Sequence, residues 1–303
     1  MPENTLPEIP LITEHFVDIE NVFGSKNPKL LKVLPKFIFR YLRRVIHEDF
    51  INMMIYKYRD CAGLEFVSGS LKEFGVRIQV FSSGGSGKDQ QVINFSAEDL
   101  IRSNIIPQGG RYIIASNHPL GGLDGLALMK AVGTIRPDIV FPVNDLLMNV
   151  PGLKPLFIPI NKHGTNQENI TMIDETFASD KLILYFPAGL VSRKHAGGRI
   201  KDLEWKQTFI SKSIKYKRDV IPVYISGRNS SFFYNLSKWR RKLGIKSNIE
   251  MLFLPGEMVK QKDKSIRLTF GKPILYQTFD KTKTKTQWAE YVKDKVYDMS
   301  AGD

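Results

Sequence analysis

Short apolar runs alternate with helix-forming segments along most of this chain. Five runs contain almost no polar residues: 112–115, 138–143, 157–160, 182–186 and 220–225. Continuous runs of this length are typical of strands that are buried on both faces of a sheet. Because helix-forming segments separate them, the pattern predicts an α/β fold, with a mostly parallel mixed sheet flanked by helices.

Further elements are predicted on either side of these runs. Residues 64–81 have the pattern of a hairpin, residues 249–254 and 266–270 that of late strands, and residues 285–299 that of a final helix. No break in composition divides residues 61–303, so we expect one domain there. We expect residues 1–60 to form a separate lead-in with basic amphipathic helices.

The run at 112–115 ends in a turn that carries candidate chemistry. Ser-Asn-His-Pro is followed by a Gly-Gly pair, then by Asp124 and a helix-forming segment. Ligand sites of α/β proteins lie at such strand ends. An imidazole can take a proton from a hydroxyl when a carboxylate fixes its tautomer and stabilises the cation. We therefore predict that His118 is a general base oriented by Asp124, and that N–H groups of residues 119–125 stabilise an oxyanion.

A purely structural interpretation of this turn is the alternative. His118 would then simply end a strand, and Asp124 would cap the next helix. The proline and the nearby glycines indicate a turn of defined shape rather than a generic loop. They favour the catalytic interpretation.

Residues 111–126 resemble the first motif of the glycerolipid (lysophospholipid) acyltransferase superfamily, in which four residues separate the His from the Asp. The segment Asn-His-Pro-Leu-Gly-Gly-Leu-Asp-Gly is most similar to a bacterial subgroup that O-acylates lyso-lipids, including amino-acid-containing ones. Here five residues lie between His118 and Asp124, and the Gly-Gly pair can loop out the additional one. The resemblance implies an acyl thioester donor, either acyl-carrier protein or acyl-coenzyme A, with no metal and no other cofactor.

Residues 186–194 resemble the third motif of that superfamily, which helps hold the acceptor's phosphate. Ala188 replaces the motif's Glu. The second motif ends in an acceptor-binding Arg, and the similar segment 155–164 has Asn and Lys there. The resemblance implies a substrate-binding set that also includes the neighbour of the catalytic His: Asn117, Asn161, Lys162, Gly189, Ser192, Arg193 and Lys194. The alternative for the basic residues near 193 is a solvated loop.

The altered third motif bears on the acceptor. Without the Glu, the pattern favours a lyso-amino-acid lipid of the ornithine or glycine type over lysophosphatidic acid, and places the chain in membrane lipid biosynthesis. Lysophosphatidic acid acyltransferase activity remains the alternative acceptor assignment. A non-catalytic protein that binds anionic lipid on the same fold is a further alternative, which the intact His118 and Asp124 disfavour.

The net charge of +13 implies an acidic partner. No nucleic-acid motif is present, so we expect no nucleic-acid partner. Residues 28–47 predict a helix, interrupted at Pro35, whose basic side chains share one arc: Lys29, Lys32, Lys36, Arg40, Arg43 and Arg44. A basic helix with an aromatic-rich apolar face suits an anionic membrane surface. The alternative is a helix that packs on its own core and solvates its basic face.

Location follows from what the sequence lacks. No apolar run approaches the roughly 20 residues that span a bilayer, and the N-terminal segment does not have the pattern of a signal peptide. The single Cys61 fits a reducing compartment. We therefore expect a peripheral protein on the cytoplasmic face of the inner membrane.

Overall fold

The computed structural model describes residues 18, 20, 35–84, 90–143, 147–160 and 167–300. Within these residues the chain forms ten strands: β1 Arg77–Ser83, β2 Gln90–Ile93, β3 Tyr112–Ser116, β4 Ile139–Val143, β5 Phe157–Pro159, β6 Leu182–Tyr185, β7 Arg193–Lys194, β8 Ile200–Lys201, β9 Asp219–Ile225 and β10 Ser265–Phe270. Eight of them form one sheet, and the short β7 and β8 pair separately.

The eight-stranded sheet has the order β2-β1-β10-β9-β3-β6-β4-β5. Five of its neighbouring pairs are parallel, and only β1–β2 and β9–β10 are antiparallel. The predicted mostly parallel mixed sheet is therefore confirmed. Because β3 lies between β6 and β9 and is parallel to both, the turns that follow these three strands meet at one edge of the sheet.

Helices cover both faces of the sheet. The described α-helices are α1 Lys36–Ile46, α2 Glu48–Lys57, α3 Leu64–Glu73, α4 Ala97–Ser103, α5 Leu123–Ile135, α6 Gln167–Ala178, α7 Thr208–Tyr216, α8 Ser231–Lys242, α9 Leu254–Val259 and α10 Lys285–Asp298. Alternate residues of β3 enter opposite core clusters: Ile114 joins the cluster with α3 and α5, and Ile113 the cluster with α7 and α10. The strand is buried on both faces, as its sequence predicts.

Two predicted strands are wrong. Residues 64–73 form α3, because their buried side chains follow a helical period, and the hairpin is β1–β2 instead. In the predicted strand 249–254, residues Ile249–Phe253 form a 3₁₀ helix and Leu254 begins α9. Pro255, at the start of α9, has no N–H for a sheet ladder but suits the first turn of a helix. None of the described helices is long and apolar enough to cross a membrane.

The N-terminal helices pack on the rest of the molecule. The part of the predicted basic helix that the structure describes begins at Pro35, which directly precedes α1. Residues 28–34 of that predicted helix lie outside the described residues. Phe39 and Ile46 of α1 are buried, and Ile51 and Ile55 of α2 belong to the same core cluster as the sheet.

Arg218 stabilises the edge of the sheet opposite the turns. It is fully buried, and burial lowers its pKa to about 10, so it is still protonated at neutral pH. Its guanidinium donates hydrogen bonds to main-chain carbonyls of three neighbouring elements, at Tyr112, Thr176, Phe177, Ser179 and Lys181. One side chain thus joins the end of α6 to the starts of β3 and β6.

We predict that Arg218→Met lowers the free energy of unfolding by on the order of 3 kcal/mol, because buried carbonyls lose a charged donor. Urea denaturation measures this change. Arg102→Met is the matched control, since the Arg102 side chain is 78% exposed and pairs only with Asp99 on the surface. Equal unfolding midpoints for the two variants would contradict the role assigned to Arg218.

Candidate active site

The turn after β3 brings His118 and Asp124 together. Nδ1 of His118 lies 2.9 Å from Oδ2 of Asp124, in spite of the five residues between them. The Asp124 side chain is fully buried, and that of His118 is 14% exposed. Because a carboxylate only accepts hydrogen bonds, the proton lies on Nδ1 and the lone pair on Nε2. No group in the described part of the chain hydrogen-bonds to Nε2.

Main-chain hydrogen bonds to Asp124 shape this turn. Its carboxylate accepts from the N–H groups of Leu120 (2.8 Å), Gly121 (3.1 Å) and Gly125 (2.9 Å). Gly121 has a φ of +96°, which glycine adopts without strain and which lets the turn take up its additional residue. These three N–H groups point at Asp124. These three groups are therefore not available to an oxyanion, and of the segment 119–125 only the N–H groups of residues 122–124 keep that predicted role.

Phe186 fixes the plane of the imidazole. It directly follows β6, and its ring stacks on that of His118 with centroids 4.1 Å apart and an angle of 20° between the planes. Phe141, at 4.9 Å, supports the other side of the Phe186 ring. The aromatic residue of the third motif thus forms one wall of the site.

The main chain of His118 is held as firmly as its side chain. Its N–H donates to Oδ1 of Asp202 (3.2 Å), and its carbonyl accepts from the N–H of Ser192 (2.8 Å). The Ser192 hydroxyl in turn donates to Asp202 at 2.5 Å. The third-motif turn and the loop at residue 202 therefore hold the peptide units of the base from both sides. Sequence reasoning missed Asp202, since nothing near it in the chain marks it.

Asp202 is a second, fully buried carboxylate beside the base. Its Oδ2 accepts from the indole N–H of Trp205 (2.9 Å), and its own N–H donates to the hydroxyl of Tyr297 (2.6 Å). Burial raises the pKa of Asp202, although its hydrogen bonds from Ser192, Trp205 and His118 oppose the increase. The residue therefore joins the catalytic turn to α10.

The two carboxylates set the proton affinity of the base. Burial by itself lowers the pKa of His118, but the charge and hydrogen bond of Asp124 and the charge of Asp202 outweigh it, and the net pKa is raised. The Arg193 cation acts in the opposite direction. Burial disfavours the charged form of Asp124, yet His118 and the main-chain donors of Leu120 and Gly121 lower the Asp124 pKa overall.

Asn117 has a structural role instead of the predicted contact with substrate. The residue is buried, and its side-chain amide donates to the carbonyl of Ile225 (2.8 Å) and accepts from the N–H of the same residue (2.7 Å). Both polar groups of the side chain are thus used. The amide forms the pair of hydrogen bonds that a neighbouring strand would form with Ile225, and it thereby connects the turn to the end of β9.

Ser192 and Arg193 of the predicted anion-binding set are also occupied. Ser192 is buried against Asp202, as described above. Arg193 is 3% exposed, and its guanidinium is paired with the fully buried Glu250 at 2.9 Å. Glu250 also pairs with the buried Arg240 at 2.8 Å, so Arg193 belongs to a buried cluster of three charged side chains. In this structure neither Ser192 nor Arg193 is free to bind the acceptor's anion, and binding by these two residues stays a prediction.

The remaining candidates differ in position. Gly189 has a φ of +63° in the turn after β6, and Lys194 is exposed on β7. Asn161 and Lys162 lie outside the described residues. A cation that the motifs did not indicate is Lys206, whose Nζ lies 3.5 Å from where a Cβ on Gly189 would be. The main-chain N–H of Lys206 donates to the carbonyl of Pro187, and this hydrogen bond fixes the exposed lysine beside the third-motif turn.

We predict that the pKa of the His118 imidazole lies above the ordinary value for histidine, and that Asp202→Asn lowers this pKa, because the imidazolium loses a nearby negative charge. NMR titration of the five histidines measures this, with the His118 signal assigned from its absence in His118→Gln.

Glu204→Gln is the control, since this exposed carboxylate lies two residues from Asp202 and does not touch the turn. A His118 pKa that is equal in wild type and Asp202→Asn would show that Asp202 is uncharged in the folded protein.

Comparison with known proteins gives the family. A family model described as acyltransferase matches residues 21–302. Two curated relatives are named lyso-glycine lipid O-acyltransferase. That of Bacteroides thetaiotaomicron is 44% identical over 285 residues, covering 93% of this chain and 97% of the relative. That of Phocaeicola vulgatus is 43% identical, covering 93% and 95%.

Among solved structures, the 1-acyl-sn-glycerophosphate acyltransferase PlsC of Thermotoga maritima matches with a TM-score of 0.45 and 15% identity, over 96% of this chain and 95% of that one. The resemblance noted in the first motif is confirmed by the family model and the two relatives: the chain belongs to the acyltransferase family.

Proposed function

We propose that this chain transfers a fatty acyl group from a thioester to the hydroxyl of a lyso-amino-acid lipid, with His118 as the general base. The observation that carries the proposal is the contact between His118 Nδ1 and the buried Asp124, which leaves the lone pair of Nε2 to accept a proton. The names of the two relatives support an acceptor of the glycine type.

The reaction follows from this tautomer. Nε2 of His118 takes the proton of the acceptor hydroxyl while the hydroxyl oxygen attacks the thioester carbonyl. The imidazolium that forms is stabilised by Asp124 at 2.9 Å and by the charge of Asp202. When the tetrahedral intermediate collapses, the thiolate leaves and takes the proton from Nε2. The ester and the free thiol are the products, and His118 returns to its starting state.

The acceptor's anionic headgroup requires a cation. Since Arg193 is held by Glu250, we assign this role to Lys206 beside the Gly189 turn and to the exposed Lys194. A lysine binds a carboxylate or a phosphate as a point charge. The preference for a lyso-amino-acid lipid over lysophosphatidic acid therefore rests on the names of the two relatives.

The donor and the location complete the proposal. Acyl-carrier protein or acyl-coenzyme A supplies the thioester, and no further cofactor is needed for the steps above. The basic helix α1, with exposed Phe37 and Tyr41, supports peripheral binding at the anionic cytoplasmic face of the inner membrane. Nucleic acid is not a partner in this proposal.

We predict that His118→Gln lowers kcat by about 10² to 10⁴, the range that a general base contributes. Steady-state rates with acyl-carrier-protein and acyl-coenzyme A thioesters measure the loss and identify the donor. His195→Gln is the control, since this exposed histidine lies near the site but its Nε2 contacts only the carbonyl of Lys201. Full activity in His118→Gln would exclude this mechanism and favour a non-catalytic lipid-binding protein.

We predict that lyso-glycine lipid is acylated with a higher kcat/KM than lysophosphatidic acid, and that Lys206→Gln raises the acceptor KM about tenfold, the effect of losing one charged contact of roughly 1.4 kcal/mol. Parallel assays with lyso-glycine lipid, lyso-ornithine lipid and lysophosphatidic acid measure the preference.

Lys181→Gln is the matched control, because this exposed lysine lies at the amino-terminal end of β6, away from the turn. A preference for lysophosphatidic acid would replace the proposed acceptor while leaving the general-base mechanism in place.

A further inference from the structure

Helix α8 has a row of exposed apolar side chains that the acyltransferase site does not use. Its members lie on one face at intervals of four, three and four residues: Phe232, the half-buried Leu236, Trp239, and Leu243, which directly follows the helix. The exposed fractions of Phe232, Trp239 and Leu243 are 51%, 62% and 70%. A different face of α8, with Phe233 and Tyr234, is buried in the protein. The exposed row therefore does not serve the core.

A groove joins this row to helix α1. The groove has a volume of about 210 Å³, and Tyr41 and Val45 of α1 line it together with Phe232 of α8 and Phe253. Tyr41 is 64% exposed, and Phe37, one turn before it, is 68% exposed. The aromatic residues of the two helices thus form one surface, which we call the α1–α8 surface.

Cations flank the apolar side chains on both helices. Lys36, Arg40 and Arg44 are exposed on α1, and Lys238, Arg241 and Lys242 on α8. Among the described residues, no carboxylate forms an ion pair with any of these six. Arg240 differs, because it is buried and paired with Glu250. The surface therefore combines large exposed apolar groups with positive charge that no carboxylate of the described residues pairs.

This combination points to one kind of partner. Aromatic and leucine side chains gain free energy in the acyl boundary of a bilayer, and lysine and arginine are attracted by its anionic headgroups. An acidic carrier protein would account for the cations, but it would not require apolar side chains along two helices. We propose that α8 forms, together with α1, a docking surface for an anionic lipid bilayer.

Helix α9 connects this surface to the catalytic turn. A Cβ on Gly256 of α9 would lie 2.3 Å from the carbonyl oxygen of Val45, so the backbones of α1 and α9 are in contact. On its other side, α9 packs Leu254 and Met258 against Gly121 and Gly122. Docking would therefore bring His118 close to the membrane, where a lyso-lipid acceptor resides. The docking surface extends the membrane binding by α1 in the proposed function, and this last step also rests on the proposed acceptor.

The three tryptophans make the docking directly measurable. Trp239 is 62% exposed, whereas Trp205 and Trp288 are 1% and 6% exposed. When vesicles containing phosphatidylglycerol are added to the full-length protein, we expect a blue shift of tryptophan emission and quenching by lipids with brominated chains. Trp239→Phe retains an apolar side chain, so it should bind the vesicles but lose the spectral change.

The affinity test uses substitutions on α8. We expect Phe232→Ser/Trp239→Ser to weaken binding to phosphatidylglycerol vesicles by about tenfold or more, because the bilayer no longer takes up two aromatic side chains. Lys238→Gln/Lys242→Gln should abolish the preference for phosphatidylglycerol over phosphatidylcholine vesicles. Leu275→Ser is the control, since Leu275 is 56% exposed but lies far from the α1–α8 surface. Its neighbour Ile274 pairs with Val220 at the amino-terminal end of β9, whereas α8 follows the carboxyl-terminal end of that strand.

Two outcomes would overturn the docking surface. One is unchanged vesicle binding by Phe232→Ser/Trp239→Ser. The other is normal vesicle binding by the α8 variants combined with lost binding to acyl-carrier protein, which would assign the surface to the carrier. Turnover of detergent-solubilised lyso-lipid is measured separately. Its absence in wild type would reject the proposed acceptor without affecting the vesicle result.

Discussion

The carboxylate of Asp124 is the group on which the catalytic turn depends. It accepts three main-chain hydrogen bonds from the turn and the start of α5, and it holds the imidazole of His118 at 2.9 Å. Asp124 lies in the first turn of α5. The N–H groups at the start of a helix and the helix dipole stabilise a negative charge there. The same charge therefore maintains the path of the chain and orients the imidazole of His118.

Two buried carboxylates hold different parts of His118. Asp124 orients the side chain, and Asp202 holds the main chain together with Ser192. Their pKa values shift in opposite directions, because Asp124 has a cationic partner and several main-chain donors, whereas the hydrogen bonds of Asp202 do not offset its burial. With Phe186 stacked on the ring, neither the imidazole nor its peptide can reorient freely.

Local patterns in the sequence were sufficient for the sheet and for the catalytic pair. The run at 112–115 and the residues that follow it predict a buried strand, a turn and a helix without any knowledge of distant contacts. The substrate-binding set could not be predicted in the same way. Whether Arg193 is free depends on Glu250, which is 57 residues away in sequence, and Asp202 reaches His118 across 84 residues. Residues 64–73 differ from both cases, because their own apolar spacing is helical and no distant contact is needed to explain α3.

The turn with five intervening residues has a consequence for how such proteins are identified. The main chain between His118 and Asp124 is anchored to the carboxylate itself, and Gly121 adopts a left-handed conformation there. The chain can therefore lengthen inside the loop while the two reacting groups stay at hydrogen-bonding distance. Motif searches that require a fixed interval would pass over relatives of this kind. A search for a buried strand, a glycine turn and a carboxylate in the first turn of the next helix would retain them.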